Sequence, residues 1–368
     1  LNISKHGRCG SISPSSCVRC RCFSPSATPI SQPPTARWLC GAAPPDGGYD
    51  ADIIILTLNR FNDTIDAVDS ALRQTGALIH VTILDQGSEP AVLARFTEAF
   101  AERANLWFFA CPQNSGVSAG RNLLTSLGHG RIIVALDNDA TFQSDTTVAA
   151  ALTAFDLTPE LGALGFKILA KNGIDLDASS WGYPASLLSR AHDCFTATTF
   201  VGAGHAIRRT AWQAGGGYDP WLFFTWEEYD FCLRAIAAGW TVRYDGSISV
   251  IHKVAAENRL AWNGARTRLS MRNRLLVARK WRTSWLALLP RIGLYLWRAS
   301  LKGRPGAACL GLIDAIRQDH VLPKQTMPGR LRDYLSRHDR AHRGKPVQGI
   351  RALTIRLKRP PPHPSASG

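Results

Sequence analysis

The chain is 368 residues long, 45% hydrophobic and 19% charged, with a formal net charge of +15. That apolar fraction suffices for a packed core and excludes a wholly disordered chain. No run of about 18 uninterrupted apolar residues occurs, so no conventional membrane-spanning helix is expected, and no secretory signal either. Nine cysteines are too sparse for a disulfide scaffold, which favours a reducing compartment. Charge is uneven: from Lys253 onward 25 Lys/Arg stand against 5 Asp/Glu, whereas residues 51–252 carry a balance of −8. An acidic body with a basic carboxy-terminal part points to an anionic partner for the latter.

Residues 1–50 read as a disordered leader rich in Ser, Pro and Cys, without apolar periodicity. Cys17, Cys20 and Cys22 form one cluster without a second ligand pair, which argues against a structural metal there. From Asp52 the pattern changes. The β-branched run from Ile53 to Thr57 predicts a buried strand. A helix follows over 62–73 with Asn62 or Asp63 as N-cap, then a strand over 79–84 ending in Asp85-Gln86-Gly87-Ser88. Helix 90–102, strand 106–110, a helix beginning near Ser115-Gly116, and strand 131–136 running into Asp137-Asn138-Asp139 complete the first half. Alternation of strands with such helices predicts an α/β fold, a Rossmann-like, mostly parallel sheet flanked by helices. In such sheets ligands lie beyond the carboxyl ends of the strands, where Asn59, Asp85, Asn114 and Asp137 fall.

After Gly165 the pattern is less regular. A strand over 195–201 is expected to lead into Gly202-Ala203-Gly204-His205, followed by a helix over 226–238 and two short strands over 241–244 and 247–251. Beyond Leu260 the chain reads as helical and basic, with Trp281, Trp285, Trp297, Arg282, Arg291 and Arg298 in a Trp- and Leu-rich stretch interrupted by Pro290. The domains expected are a leader 1–50, a main domain 51–253, a basic amphipathic helical extension 254–320 and a basic, largely disordered tail 321–368.

Two carboxylates one residue apart at a strand end, Asp137 and Asp139, can turn toward one hard divalent cation, which shares its oxygen ligands with substrate phosphates. Alone the pair is weak evidence, because acidic turns are common. Its company strengthens it. Ile53 to Arg60, Asp85-Gln86-Gly87-Ser88, Asn114-Ser115-Gly116 with Arg121-Asn122, and Asp137-Asn138-Asp139 occur in order. Downstream stand Gly202-Ala203-Gly204-His205, Gly216-Gly217-Tyr218-Asp219, Trp226-Glu227-Glu228-Tyr229-Asp230 with Arg234, and His252-Lys253. In these ordered motifs the sequence resembles the non-processive, bacterial-type family 2 glycosyltransferases with a GT-A fold, over about residues 51–282.

The resemblance implies roles. Thr57, Asn59 and Arg60 would line the nucleotide site, with Asp85 accepting a hydrogen bond from a uracil or thymine ring. Gly116, Arg121 and Asn122 would stand beside the donor, and Asp137 and Asp139 would hold Mg²⁺ or Mn²⁺ with His252 near metal and diphosphate. Glu227 and Gly204 would face the acceptor, Glu228 would be the base, and Asp230 its fallback. Glu228 stands where the family usually has Asp, and Leu56, Leu58 and Gln86 depart from frequent Pro, Tyr and Asp or Asn. His205 is read as a core histidine. The chemistry implied is metal-dependent, inverting transfer of a sugar from a UDP- or dTDP-linked donor to a hydroxyl of a glycan or lipid-linked acceptor, as in cell-envelope polysaccharide synthesis. Such an enzyme is expected in the cytoplasm, with peripheral contact to anionic membrane at its inner face through the basic helices. A nucleotidyltransferase and a non-enzymatic nucleic-acid-binding protein are the competing readings. The first leaves the Glu227 to Asp230 motif unexplained, and no reader motif supports nucleic acid as a partner.

Overall fold

The computed structural model describes residues 36–42, 48–253, 263–320 and 323–342. The cysteine cluster at 17–22 and the far tail lie outside them. The first run after the leader, β2 (Ala51–Thr57), is buried on both faces: Ile53 and Ile55 point one way and Ile54 the other, as the two-residue strand period requires. It pairs in parallel with β3 (Ile79–Gln86) and β5 (Ile132–Asp137), and β3 pairs in parallel with β4 (Leu106–Cys111). Helices α1 (Phe61–Leu72), α2 (Pro90–Phe100) and α3 (Gly116–Leu127) make the crossovers. Arg60, rather than Asn62 or Asp63, occupies the N-cap position of α1, and no side chain caps it.

The ten-stranded sheet has the order β1-β4-β3-β2-β5-β9-β7-β10-β6, with β8 (Cys194–Thr196) paired to β10. Beyond β5 it becomes mixed. β9 (Gly204–Arg208) runs antiparallel between β5 and β7 (Leu161–Leu169), and β6 (Ala140–Phe142) runs antiparallel to β10 (Thr241–His252). Of the strand expected over 195–201 only Phe195 and Thr196 are strand, in β8; an irregular segment carrying Gly202 follows, and β9 begins at Gly204. The two strands expected over 241–251 are instead one, β10, whose register shifts around Gly246. A Cβ there would lie 2.5 Å from the Ala191 carbonyl oxygen. A second correction concerns the leader: Arg37–Gly41 forms β1, an antiparallel edge strand on β4. Its Trp38 packs on the core, which supplies burial that the surrounding Ser- and Pro-rich composition does not advertise.

Two apolar layers cover the sheet. α1, α2 and α4 (Thr147–Asp156) bury Val68, Phe96, Phe100 and Val148 on one face. On the other, α3, α5 (Arg209–Gly215) and α6 (Glu227–Ala237) bury Leu124, Trp212 and Phe231. The helical extension comprises α7 (Asn263–Lys280), α8 (Trp285–Leu301) and α9 (Pro305–Arg317), with a small core of their own around Met271, Leu275, Leu276, Leu288, Ile292 and Ala315. Val277 and Trp281 of the α7 end join the main core. Pro290 does not interrupt α8, because Leu288 and Ile292 on either side are buried and offset one missing hydrogen bond. Part of the tail expected to be disordered, Gly329–His338, is a helix, α10, docked through Leu331 and Leu335.

Candidate active site

The carboxyl ends of β2, β3 and β5 and the end of β10 converge. Parallel pairing sets Leu56 beside Asp137, and the β6–β10 pairing sets His252 opposite Ala140 and next to Asp139. One ligand atom each from Asp137, Asp139 and His252 lies within 4.8 Å of the other two. Two carboxylates and an imidazole form a donor set that fits a divalent cation; oxygen ligands suit Mg²⁺ and Mn²⁺ alike, and the imidazole favours the latter. Arginines hold both carboxylates. Arg60 Nη1 donates to Asp139 Oδ2 at 2.6 Å, and Arg121 Nη2 donates to Asp137 Oδ1 and to the Gly202 carbonyl, each at 2.8 Å. Burial works to raise the Asp139 carboxyl, but the hydrogen bond and charge of His252, followed by Arg60, bring it down to about 2. Burial likewise opposes charge on His252, yet Asp139, Asp137 and Asp177 raise its pKa above the usual histidine value.

Asp177 is a site residue that sequence reasoning missed. Its Oδ2 stands 3.4 Å from His252 Nδ1, while Nε2 of the same ring stands 3.4 Å from Asp139 Oδ1. Asp177 is itself fixed by Ser179 N, at 3.0 Å, and by the hydroxyls of Ser179 and Ser180. A carboxylate behind a metal-facing imidazole fixes ring orientation and basicity. The local signal in the sequence is an acidic N-cap followed by two serines; nothing local ties it to a histidine 75 residues away.

The structure pairs Thr57 with Asp85 at the ends of β2 and β3, with Asn59 and Arg60 just beyond Thr57. Asn59 adopts a left-handed conformation (φ 56°), its N–H donates to Ser88 Oγ at 2.8 Å, and its Oδ1 accepts from Glu89 N at 2.8 Å. The Thr57 hydroxyl pairs with that of Thr64 at 2.7 Å. Asp85 is fully buried and accepts from Gly87 N at 3.1 Å, from Ser88 N at 3.0 Å and from the Ser88 hydroxyl. Its carboxylate shapes the turn after β3.

The acidic motif opens α6. Phe223, Thr225 and Trp226 all have positive φ (59°, 72° and 74°), a strained run for residues with side chains. Asn273 of α7 holds this loop: its Nδ2 donates to the carbonyls of Leu222 at 2.7 Å, Phe224 at 2.9 Å and Thr225 at 2.8 Å. Arg272 adds donations to the Trp221 and Leu222 carbonyls at 2.9 and 3.2 Å. The loop presents Glu228, whose Oε1 lies 3.5 Å from Arg121 Nη1 and whose side chain is 17% exposed. A Cβ at Gly202 would fall 2.4 Å from Glu228 Oε1 and displace that carboxylate. Arg121 thus stands between Asp137 and Glu228 and joins the two halves of the site. Burial raises the Glu228 pKa, with Asp137 adding to the rise and Arg121 opposing it. Glu227 is buried beside it and raised well above the ordinary carboxylate range, by burial first and then by the charge of Glu228.

Four of the predicted residues are engaged within the fold itself. Asp230 is not a free base: it is fully buried and paired with Arg234 at 2.9 Å and with Lys280 Nζ at 3.0 Å. Asn122 grips the Tyr218 backbone, donating to its carbonyl at 2.8 Å and accepting from its N–H at 2.9 Å, so it braces the Gly216-Gly217 turn. Gly204 begins β9, where a Cβ would meet Val250 at 2.7 Å, so it serves sheet packing. Gly116 (φ 85°) packs under the strained loop, 2.5 Å from Phe223 for an added Cβ. His205 is a core residue, as read from sequence, bonded to Tyr218 Oη at 3.0 Å.

A Rossmann-like sheet with an acid–histidine cluster at its carboxyl edge and a carboxylate-bearing loop opposite defines a GT-A enzyme. Residues 52–215 match the family described as glycosyl transferase family 2. That match spans just under half of the chain and marks a glycosyltransferase domain in it. An uncharacterized protein of Haemophilus influenzae (strain Rd) is 27% identical over 169 residues, 45% of this chain and 90% of its own. Among solved structures, mannosyltransferase PcManGT of Pyrobaculum calidifontis, in complex with GDP-Man and Mn²⁺, is similar with a TM-score of 0.50 and 18% identity, over 87% of this chain and 90% of that one. GalNAc-T7 with UDP, GalNAc and Mn²⁺ is similar with a TM-score of 0.56 and 14% identity, over 84% of this chain and 58% of that one. At such identities the likeness bears on the fold.

Proposed function

We propose that the enzyme transfers a sugar, with inversion, from a nucleoside diphosphate sugar to a hydroxyl of a glycan or lipid-linked acceptor, in the assembly of a cell-envelope polysaccharide. The observation that carries the reading is the Asp137–Arg121–Glu228 bridge, which puts a cation-binding carboxylate and a candidate base at the two ends of one guanidinium. Asp137, Asp139 and His252 would hold Mn²⁺ or Mg²⁺, which when bound supplies charge to a leaving diphosphate. Arg60 and Arg121 keep the two carboxylates in place, and Asp177 keeps the imidazole turned toward them. Thr57, Asn59 and Arg60 line the loop that meets the nucleotide. The resemblance favours a uridine or thymidine donor. Glu228 takes the proton of the acceptor hydroxyl; that oxygen bonds to the anomeric carbon while the carbon–oxygen bond to the diphosphate breaks. Its raised pKa makes it a stronger base once ionised. Glu227 sits next to the acceptor face.

Among the described residues no helix is long and apolar enough to cross a membrane; a lipid-linked acceptor would be met at the inner face of the cell membrane from the cytoplasm. The test is consumption of UDP-, dTDP- and GDP-sugars with Mn²⁺ and simple glycan or lipid-linked acceptors, with the anomeric configuration of the product read by NMR. Inverted product from one donor class supports the reading. Retained configuration would remove Glu228 as a base in direct displacement.

A further inference from the structure

Helices α8 and α9 bury one side of themselves against α7, and their other side carries large apolar groups in the open. On α8 Leu286 is 79% exposed and Leu289 57%, with Trp297 and Leu301 also exposed; on α9 Ile313 and Ile316 are exposed. Leu286, Leu289 and Trp297 stand three and eleven residues apart, which places them on one stripe of a 3.6-residue helix. Gly293, exposed and without a side chain, lies between them on the same stripe. Arg291, Arg298 and Lys302, seven and four residues apart, form a second stripe about 150° around the helix from the first.

The charge pattern says what such a face fits. Residues 263–313 hold 11 Lys/Arg and no Asp/Glu. Where arginines of this region turn toward protein they are paired: Arg268 with Asp314 and Arg279 with Asp319. By contrast, Arg282, Arg291, Arg298, Lys302 and Arg304 form no ion pair among the described residues. An apolar stripe with an indole on it, flanked by unpaired cations and no anion, complements an anionic lipid interface. A second copy of this chain would bring like charge against like along the same flank.

We propose that the outer face of α8, extended by α9, is a docking surface that seats Leu286, Leu289 and Trp297 in the acyl boundary of an anionic bilayer with Arg291, Arg298 and Lys302 at its headgroups. This deepens the proposed function by giving the enzyme its place beside a lipid-linked acceptor. It does not depend on the chemistry, because binding and donor consumption are read separately.

The experiment is flotation of the full chain with vesicles of phosphatidylcholine alone or mixed with phosphatidylglycerol, at physiological salt. Recovery with the mixed vesicles only is expected. The L286Q/L289Q variant, at solvent-exposed positions, should lose at least about tenfold in partitioning, and R291Q/K302Q roughly tenfold or more, at about five-fold per cation. Both variants should keep the wild-type melting temperature and donor consumption in vesicle-free buffer. Three results would overturn the proposal: wild-type protein that does not float, variants that float as well as wild type, or light scattering that shows a dimer dispersed by L286Q/L289Q. Loss of donor consumption in the wild type would count against the glycosyltransferase chemistry alone.

Discussion

Glu228 and Asp230 stand two residues apart in the first turn of one helix, yet they live in opposite environments. Asp230 faces α7 and its Oδ2 is held twice over: Arg234 and Lys280 both reach it, and Lys280 also pairs with Asp219 at 3.1 Å. Glu228 faces the cleft and has Arg121 alone, at 3.5 Å, for a cationic partner among the described residues. A buried carboxylate ringed by cations holds elements together, because removing either partner strands a charge. A carboxylate left loosely paired beside a cation-binding cluster keeps its lone pairs for a proton. Of the two, Glu228, with one distant cation and a side chain open to the cleft, is the carboxylate proposed as base.

Four variants break or sharpen that contrast. Glu228→Gln should lower kcat for transfer by a factor on the order of 10²–10⁴ while nucleotide binding by calorimetry stays unchanged; full turnover would transfer the base role elsewhere. Lys280→Met should leave Asp230 buried without its ammonium partner and cost about 3–5 kcal/mol, seen as a melting-temperature fall on the order of 5–10 °C. Its residual activity should follow the folded fraction. Asn273→Ala should remove three donations to the strained loop, cost about 1–3 kcal/mol, and lower kcat about tenfold with donor KM little changed. A loss confined to stability would make Asn273 a packing residue with no part in placing Glu228.

The smallest effect is expected at Glu227. Its pKa is raised on folding, so its contribution to stability is full below the ordinary carboxylate range and is lost as pH rises through the raised value. Glu227→Gln should therefore melt at a higher temperature than wild type at pH 8, by about 2 °C, with the difference shrinking toward pH 5. Activity runs the opposite way with pH. Because Glu228 must be ionised to act, the acid limb of the pH–rate profile should lie above the usual carboxylate range and vanish in Glu228→Gln.

The alternation of strands and helices from Ile53 to Asp137 was legible because each strand announces itself by a β-branched run and each loop by polar residues. Asp137, Asp139 and Glu228 were legible as motif members. Asp230 could not be told from Glu228, since the difference is a lysine 50 residues downstream. Asp177 and Asn273 act through partners 75 and about 50 residues away, and neither leaves a local pattern. β9 hides because its reversal of direction is set by the irregular segment before it, not by its own composition. Gly202 shows its purpose only when Glu228 is in view.

The central claim is that Asp137, Asp139 and His252 form a cation site that receives a nucleoside diphosphate. The most direct measurement is thermal melting of wild-type protein and Asp139→Asn with UDP, dTDP or GDP, in Mn²⁺ or in EDTA. Stabilisation of the wild type by one nucleotide in Mn²⁺, absent in EDTA and absent in the variant, is the result expected. Equal nucleotide shifts with and without the metal, or a variant that responds like wild type, would contradict it.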